Sequence, residues 1–209
     1  MSANLNVLEA ERRAQRYWSV DGLPELMMGL LWIVWGAAWL VGQGLPRGSV
    51  SNIYWTLAPL LLVFTGLAAV WATKKLKARI TFPRTGYVEW KPPSRLQQIG
   101  GGGSAALIAC VLVVLLTKSR TEGWEHLAAP MIGAVIAVGL AIAAVVQRAP
   151  HLLIVAGASV VFGFALGSTV QGSDGLNWML VALGATTSIV GGVRLWRFVR
   201  THPFADTPA

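Results

Sequence analysis

Charge is what this chain has least of. Only 12% of its 209 residues are charged, about half the ~25% usual in soluble domains. The shortage is concentrated, because whole windows of the chain carry no charged side chain. An uncharged apolar window of about 20 residues is long enough to cross a bilayer as a helix. That excludes an ordinary soluble core and predicts a polytopic membrane protein with one compact bundle. Acids are scarcer than bases, 9 against 17, which leaves a net charge of +8. In a soluble protein that surplus would suggest nucleic acid. Here the basic residues sit between apolar runs, so topology and anionic lipid headgroups are expected, and no nucleic acid. The single cysteine, Cys110, lies within an apolar run, which excludes a disulfide framework and a cysteine metal cluster. The first 20 residues mix charges of both signs without an apolar core, so no cleaved leader is expected.

Chemistry-bearing patterns are also missing. His126, His151 and His202 fall at or beyond the ends of apolar runs, which argues against a bis-histidine haem. There is no HExxH, no GxSxG and no pair of mid-membrane carboxylates, so hydrolytic and metal-dependent enzymes are disfavoured. Gly100 to Gly103 with Ser104 resembles a phosphate loop. It lacks the Gly-Lys-Ser/Thr ending and any preceding strand, and a hinge or close backbone approach is the simpler reading. No catalytic residue, metal or cofactor is expected.

What the chain does have is six long apolar runs. They extend over Leu23–Val41, Ile53–Thr73, Leu96–Thr117, Leu127–Gln147, His151–Thr169 and Leu176–Val193. The expected fold is an all-α membrane protein, a bundle of six transmembrane helices over residues 21–198. Residues 1–20 precede it as a short interfacial helix, with Val7, Ala10, Ala14, Tyr17 and Trp18 on one face. Residues 199–209 form a tail. Fourteen of the 17 Lys and Arg residues fall on one side of this arrangement. They lie before the first span, in the loop 74–95, at Arg148 and after the last span. Arg47, Lys118 and Arg120 fall on the other. Such a bias puts both termini in the cytoplasm.

The loop 74–95 opens with the basic run KKLKAR, expected to carry the second helix out of the bilayer. Ile80–Phe82 and Tyr87–Trp90 then read as strand-like runs around Pro83 and Gly86, predicting a small cytoplasmic β-hairpin. Arg84, Tyr87 and Trp90 are its candidate contact residues. A faint repeat links Trp55–Pro59 with Trp124–Pro130, and Gly66–Trp71 with Gly191–Trp196. Three tandem helical hairpins would produce it, and so would the ordinary preference of Trp for interfaces.

Asp21 and Glu25 open the first span, four residues apart. They could form a proton or cation site at a cytoplasmic vestibule. The simpler reading is structural: Asp21 caps the helix, Pro24 sits in its first turn, and both acids favour its positive end. They could also pair with basic residues on the same side. Trp32, Trp35 and Trp39 follow at helical spacing, with Met28 on the same stripe. They could hold a flat apolar ligand, or fill a gap between helices rich in Ala and Gly, which is the favoured reading. Gly29 and Gly36, and the pairs Gly163/Gly167 and Gly133/Ala137, suit close helix packing.

The DGLPEL segment at Asp21–Leu26 and the PRTGY segment at Pro83–Tyr87 together resemble segments of small multi-pass bacterial membrane proteins of uncharacterised function. The resemblance covers the first half of the chain, through Asp21–Gly29 and Ile80–Tyr87. It implies a bacterial cytoplasmic (inner) membrane protein and brings no activity, cofactor or site. The function expected is that of an interaction or accessory protein, with a membrane protein or a second copy as partner. The alternative is a small transporter or hydrophobic-ligand binder using Glu25 and the tryptophan stripe.

Overall fold

The structure is a computed structural model and describes residues 21–85, 125–146, 149–170 and 174–203. Its elements are α1 (Leu23–Gly44), α2 (Ser49–Ile80), the short α3 (Phe82–Thr85), α4 (Glu125–Val146), α5 (His151–Thr169) and α6 (Asp174–Thr201). Every one is helical, and no strand occurs among the described residues. Five of them, all but α3, are long and apolar enough to cross a bilayer. Helices are what such a sequence must form, because hydrocarbon offers no water to backbone N–H and C=O groups. The expected interfacial helix at 1–20, the third span at Leu96–Thr117, the Gly100–Gly103 run and Tyr87–Trp90 lie outside the described residues.

The predicted hairpin is corrected where it is described. Ile80 ends α2 and Phe82 begins α3, so Ile80–Phe82 is not a strand. Thr81 N–H still donates to Lys77 O at 2.9 Å, continuing the helical pattern, and Arg84 N–H donates to Thr81 O at 3.1 Å. Pro83 falls in the first turn of α3, where a missing N–H costs nothing. Helix continuation of the basic run therefore overrides the local β preference of Ile80 and Thr81. At 32 residues, α2 is about 48 Å long, well beyond the ~30 Å hydrocarbon core.

Helices α1 and α6 pack most extensively, followed by α4 with α5 and α5 with α6, while α2 packs mainly on α1 among the described long helices. The α1–α6 pair is antiparallel and built on matched heptads. Gly22 just before α1, and Gly29 and Gly36 on it, meet Gly191, Gly184 and Asn177 on α6. A Cβ placed on Gly184 would lie 2.6 Å from Gly29 O, and one on Gly36 2.8 Å from Asn177 O. Seven-residue spacing keeps the two faces in register along a shallow crossing. Gly22 has a second reason to be glycine, since its φ of 74° is left-handed. The α4–α5 pair closes in the same way: a Cβ on Gly163 would lie 2.9 Å from Ala129 O, and Ser159 Oγ donates to Gly133 O at 2.8 Å. Between the pairs, Ala129 and Ile132 of α4 and Met179 of α6 form a buried cluster joined by Phe162, Leu166, Leu176 and Leu180.

These pairings fix the ends. The start of α1 lies beside the C-terminal parts of α2 and α6 and the start of α5. That end also carries Lys74, Lys75, Arg79, Arg197 and Arg200, and is the basic end of the bundle.

Candidate functional site

Asp21 lies just before α1 and is completely buried. Its Oδ1 accepts a hydrogen bond from Leu23 N–H at 3.1 Å, so it helps to cap the helix. Its Oδ2 accepts from Lys77 Nζ at 2.8 Å and from Thr81 Oγ1 at 2.7 Å. Lys77 is only 1% exposed, whereas its neighbours Lys74 and Lys75 point outward. A buried ion pair is tolerated only when both charges are closely paired and the remaining lone pairs are bonded. Leu23 and Thr81 supply those bonds to the carboxylate.

Glu25 lies one turn further into α1 and is 7% exposed. Its Oε1 accepts from Arg194 Nη1 of α6 at 2.5 Å and lies 2.8 Å from His151 Nε2 at the start of α5. Arg194 Nη1 is also 2.6 Å from His151 Nε2. The three groups form a closed triangle with a chemical constraint. One imidazole nitrogen can accept a hydrogen bond from Arg194 or donate one to Glu25, but not both together. Glu25 Oε2 is buried and has no hydrogen-bond partner among the described residues.

The two carboxylates thus tie four helices together at one end, α2 through Asp21 and α5 and α6 through Glu25. Lys77 and Arg194 were visible in the sequence as topology-setting charges. Their role as partners was not, because it depends on contacts 56 and 169 residues apart. A cue existed for Arg194, a lone charge between Val193 and Leu195 on the face that also carries Gly191. His151 gave the weakest cue, a histidine at a helix start.

The tryptophan stripe divides. Trp35 Nε1–H donates to Thr65 Oγ1 of α2 at 3.1 Å. Trp39 packs edge-on against Trp55, with ring centroids 5.2 Å apart, and Tyr54 packs edge-on against the same Trp55 ring. The Tyr54 hydroxyl bonds Ala38 O, and Tyr54 also closes over Gly42. Trp35 and Trp39 therefore form an aromatic seam between α1 and α2, while Trp32 is half-buried. Stripe and acids are separate features on one helix. Of the candidate contact residues, Arg84 is half-buried and its Nη1 donates to Ile80 O at 2.8 Å; Tyr87 and Trp90 lie outside the described residues. No group of three or more His, Cys, Asp or Glu residues is arranged for a metal among the described residues. No protein family, no characterised protein and no solved structure matches this chain.

Proposed function

We propose that the chain is an integral membrane interaction or accessory protein of a bacterial cytoplasmic membrane, which works by binding rather than by turnover. One observation carries the reading. Both acids at the mouth of α1 are already used: Asp21 by Lys77 and Thr81, and Glu25 by Arg194 and His151. Ionisable groups inside a membrane often mark substrate or ion pathways, and these two carboxylates are instead engaged in holding helices. The glycine seam between α1 and α6 adds to this, because backbones in such close approach leave no passage between them.

The arrangement proposed is six crossings with both termini in the cytoplasm. The described helices support the sixth crossing by parity. The α2–α3 segment ends at the basic end, whereas α4 begins at the opposite end, since Ala129 and Pro130 meet Gly163 deep in α5. Partners of the proposed protein are anionic lipid headgroups and either a membrane protein or a second copy, with Arg84, Tyr87 and Trp90 as a cytoplasmic contact. Extraction in mild detergent followed by mass spectrometry tests this directly. A stoichiometric membrane-protein partner or a homo-oligomer is expected; a monomer with nothing bound contradicts the reading.

A single observation favours the transporter alternative, the buried Glu25 Oε2 without a hydrogen-bond partner among the described residues. Such an atom could receive a proton or a cation. Proton flux into proteoliposomes that is abolished by Glu25→Gln would establish that alternative, and absence of flux in the intact protein would remove it.

A further inference from the structure

Two tryptophans near the basic end stand apart from the packing. Trp71 of α2 is 62% exposed and Trp196 of α6 is 54% exposed. Each carries a cation from the next turn over its ring: Lys75 Nζ lies 4.5 Å from the Trp71 centroid, and the Arg200 guanidinium carbon 4.1 Å from that of Trp196. The spacing is the same, Trp to cation at i, i+4. It extends the Gly66–Trp71 and Gly191–Trp196 echo by one turn, so each unit reads Gly, Trp five residues on, and a base four beyond that.

The charges at this end do not balance within the described protein. Asp21 and Glu25 are bound to Lys77, Arg194 and His151, and Asp174 lies at the far end of α6. Lys74, Lys75, Arg79, Arg197 and Arg200 are exposed. None of these five is paired with an acid among the described residues. A cation stacked on a ring keeps its remaining N–H groups free: Lys75 by rotation of its ammonium, Arg200 along the edge of its plane. Held there, those donors are pre-organised for a phosphate oxygen. The rings sit on apolar helix surface with exposed Leu67 and Val70 beside Trp71, and Val193 near Trp196. An anion that brings its own apolar body covers both parts, which an acidic soluble protein does not.

We propose that Trp71 with Lys75, and Trp196 with Arg200, are two docking points for the phosphate headgroups of anionic phospholipids in the leaflet at the basic end. The aromatic ring lies against the upper acyl region and fixes the cation, and the cation takes the phosphate. This rests on the membrane location in the proposed function, but not on any protein partner, so a failed partner search leaves it standing.

The test uses the full chain, purified in detergent and titrated with phosphatidylglycerol or phosphatidylcholine, with bound lipids counted by native mass spectrometry. Lys75→Gln with Arg200→Gln is compared with Lys74→Gln with Arg197→Gln, which removes the same exposed charge without touching a stacked pair. Phosphatidylglycerol affinity is expected to fall about fivefold per stacked cation lost, with phosphatidylcholine unaffected and the control pair clearly milder. Equal losses in the two double variants would overturn the proposal, because diffuse charge alone would then account for binding. Trp71→Phe with Trp196→Phe keeps every charge and weakens the ring face. It should also reduce phosphatidylglycerol binding, and unchanged binding would overturn the stacking arrangement.

Discussion

At the scale of single residues, the informative contrast is between Lys77 and its neighbours in KKLKAR. All the cations of that run look alike in sequence, yet Lys77 is 1% exposed against Asp21 and Lys75 stacks outside on Trp71. Helical phase separates them: a residue two positions on is turned by about 200°. Removing the Asp21 carboxylate takes away the anion that lies 2.8 Å from the buried Lys77 ammonium. Asp21→Asn is therefore expected to cost about 3–5 kcal/mol, read as loss of thermal stability in detergent. Asp21→Asn with Lys77→Met should recover much of that loss, because an apolar replacement of a buried pair is often neutral. Additive losses in this double-mutant cycle would mean that the pair does not interact.

Among elements, the α1–α6 seam is the clearest packing statement. Gly184→Ala places a methyl carbon 2.6 Å from the backbone oxygen of Gly29, which cannot move without its helix. About 1–3 kcal/mol of destabilisation is expected, the usual size of overpacking. Gly66→Ala on α2 meets nothing within 4 Å and should be neutral or slightly stabilising, by up to about 1 kcal/mol of helix propensity. Thermal unfolding of the two variants side by side checks both. One half of the seam was legible, since Gly29 and Gly36 are a heptad apart in a single apolar run. The other half was not, because antiparallel pairing with Gly184 and Gly191 joins opposite parts of the chain. Similarly, the helical spacing of Trp35 and Trp39 was readable, but their partners Thr65 and Trp55 were not. The hairpin failed for a local reason. Ile80 and Thr81 have β preference, but Thr81 is held by Lys77 O on its backbone and by Asp21 on its side chain.

For the whole molecule, apolar windows were enough to locate the five described spans, because the bilayer imposes length and lack of charge together. The His151–Thr169 run coincides with α5, while α2 and α6 extend past their apolar windows into basic turns. Which helices would touch was beyond such a reading, since lipid and helix neighbours are equally apolar. The geometry places Arg47 and Arg79 at opposite ends of α2. In a Cys110→Ala background, cysteine at position 47 should react with an impermeant thiol reagent from outside, and cysteine at position 79 only after the membrane is opened. Labelling of both from one side would refute the topology.

The central claim is that the acids at the mouth of α1 exist to hold α2, α5 and α6 together, and the melting temperature of Glu25→Gln tests it most directly. If Glu25 is structural, the variant removes the carboxylate charge that Arg194 Nη1 contacts and should melt lower, by about 2–4 °C for each kcal/mol lost in a chain of this size. A melting temperature equal to or above that of the intact protein would contradict the account. It would show that Glu25 is kept at a cost to stability, which is how acids that serve transport or catalysis behave.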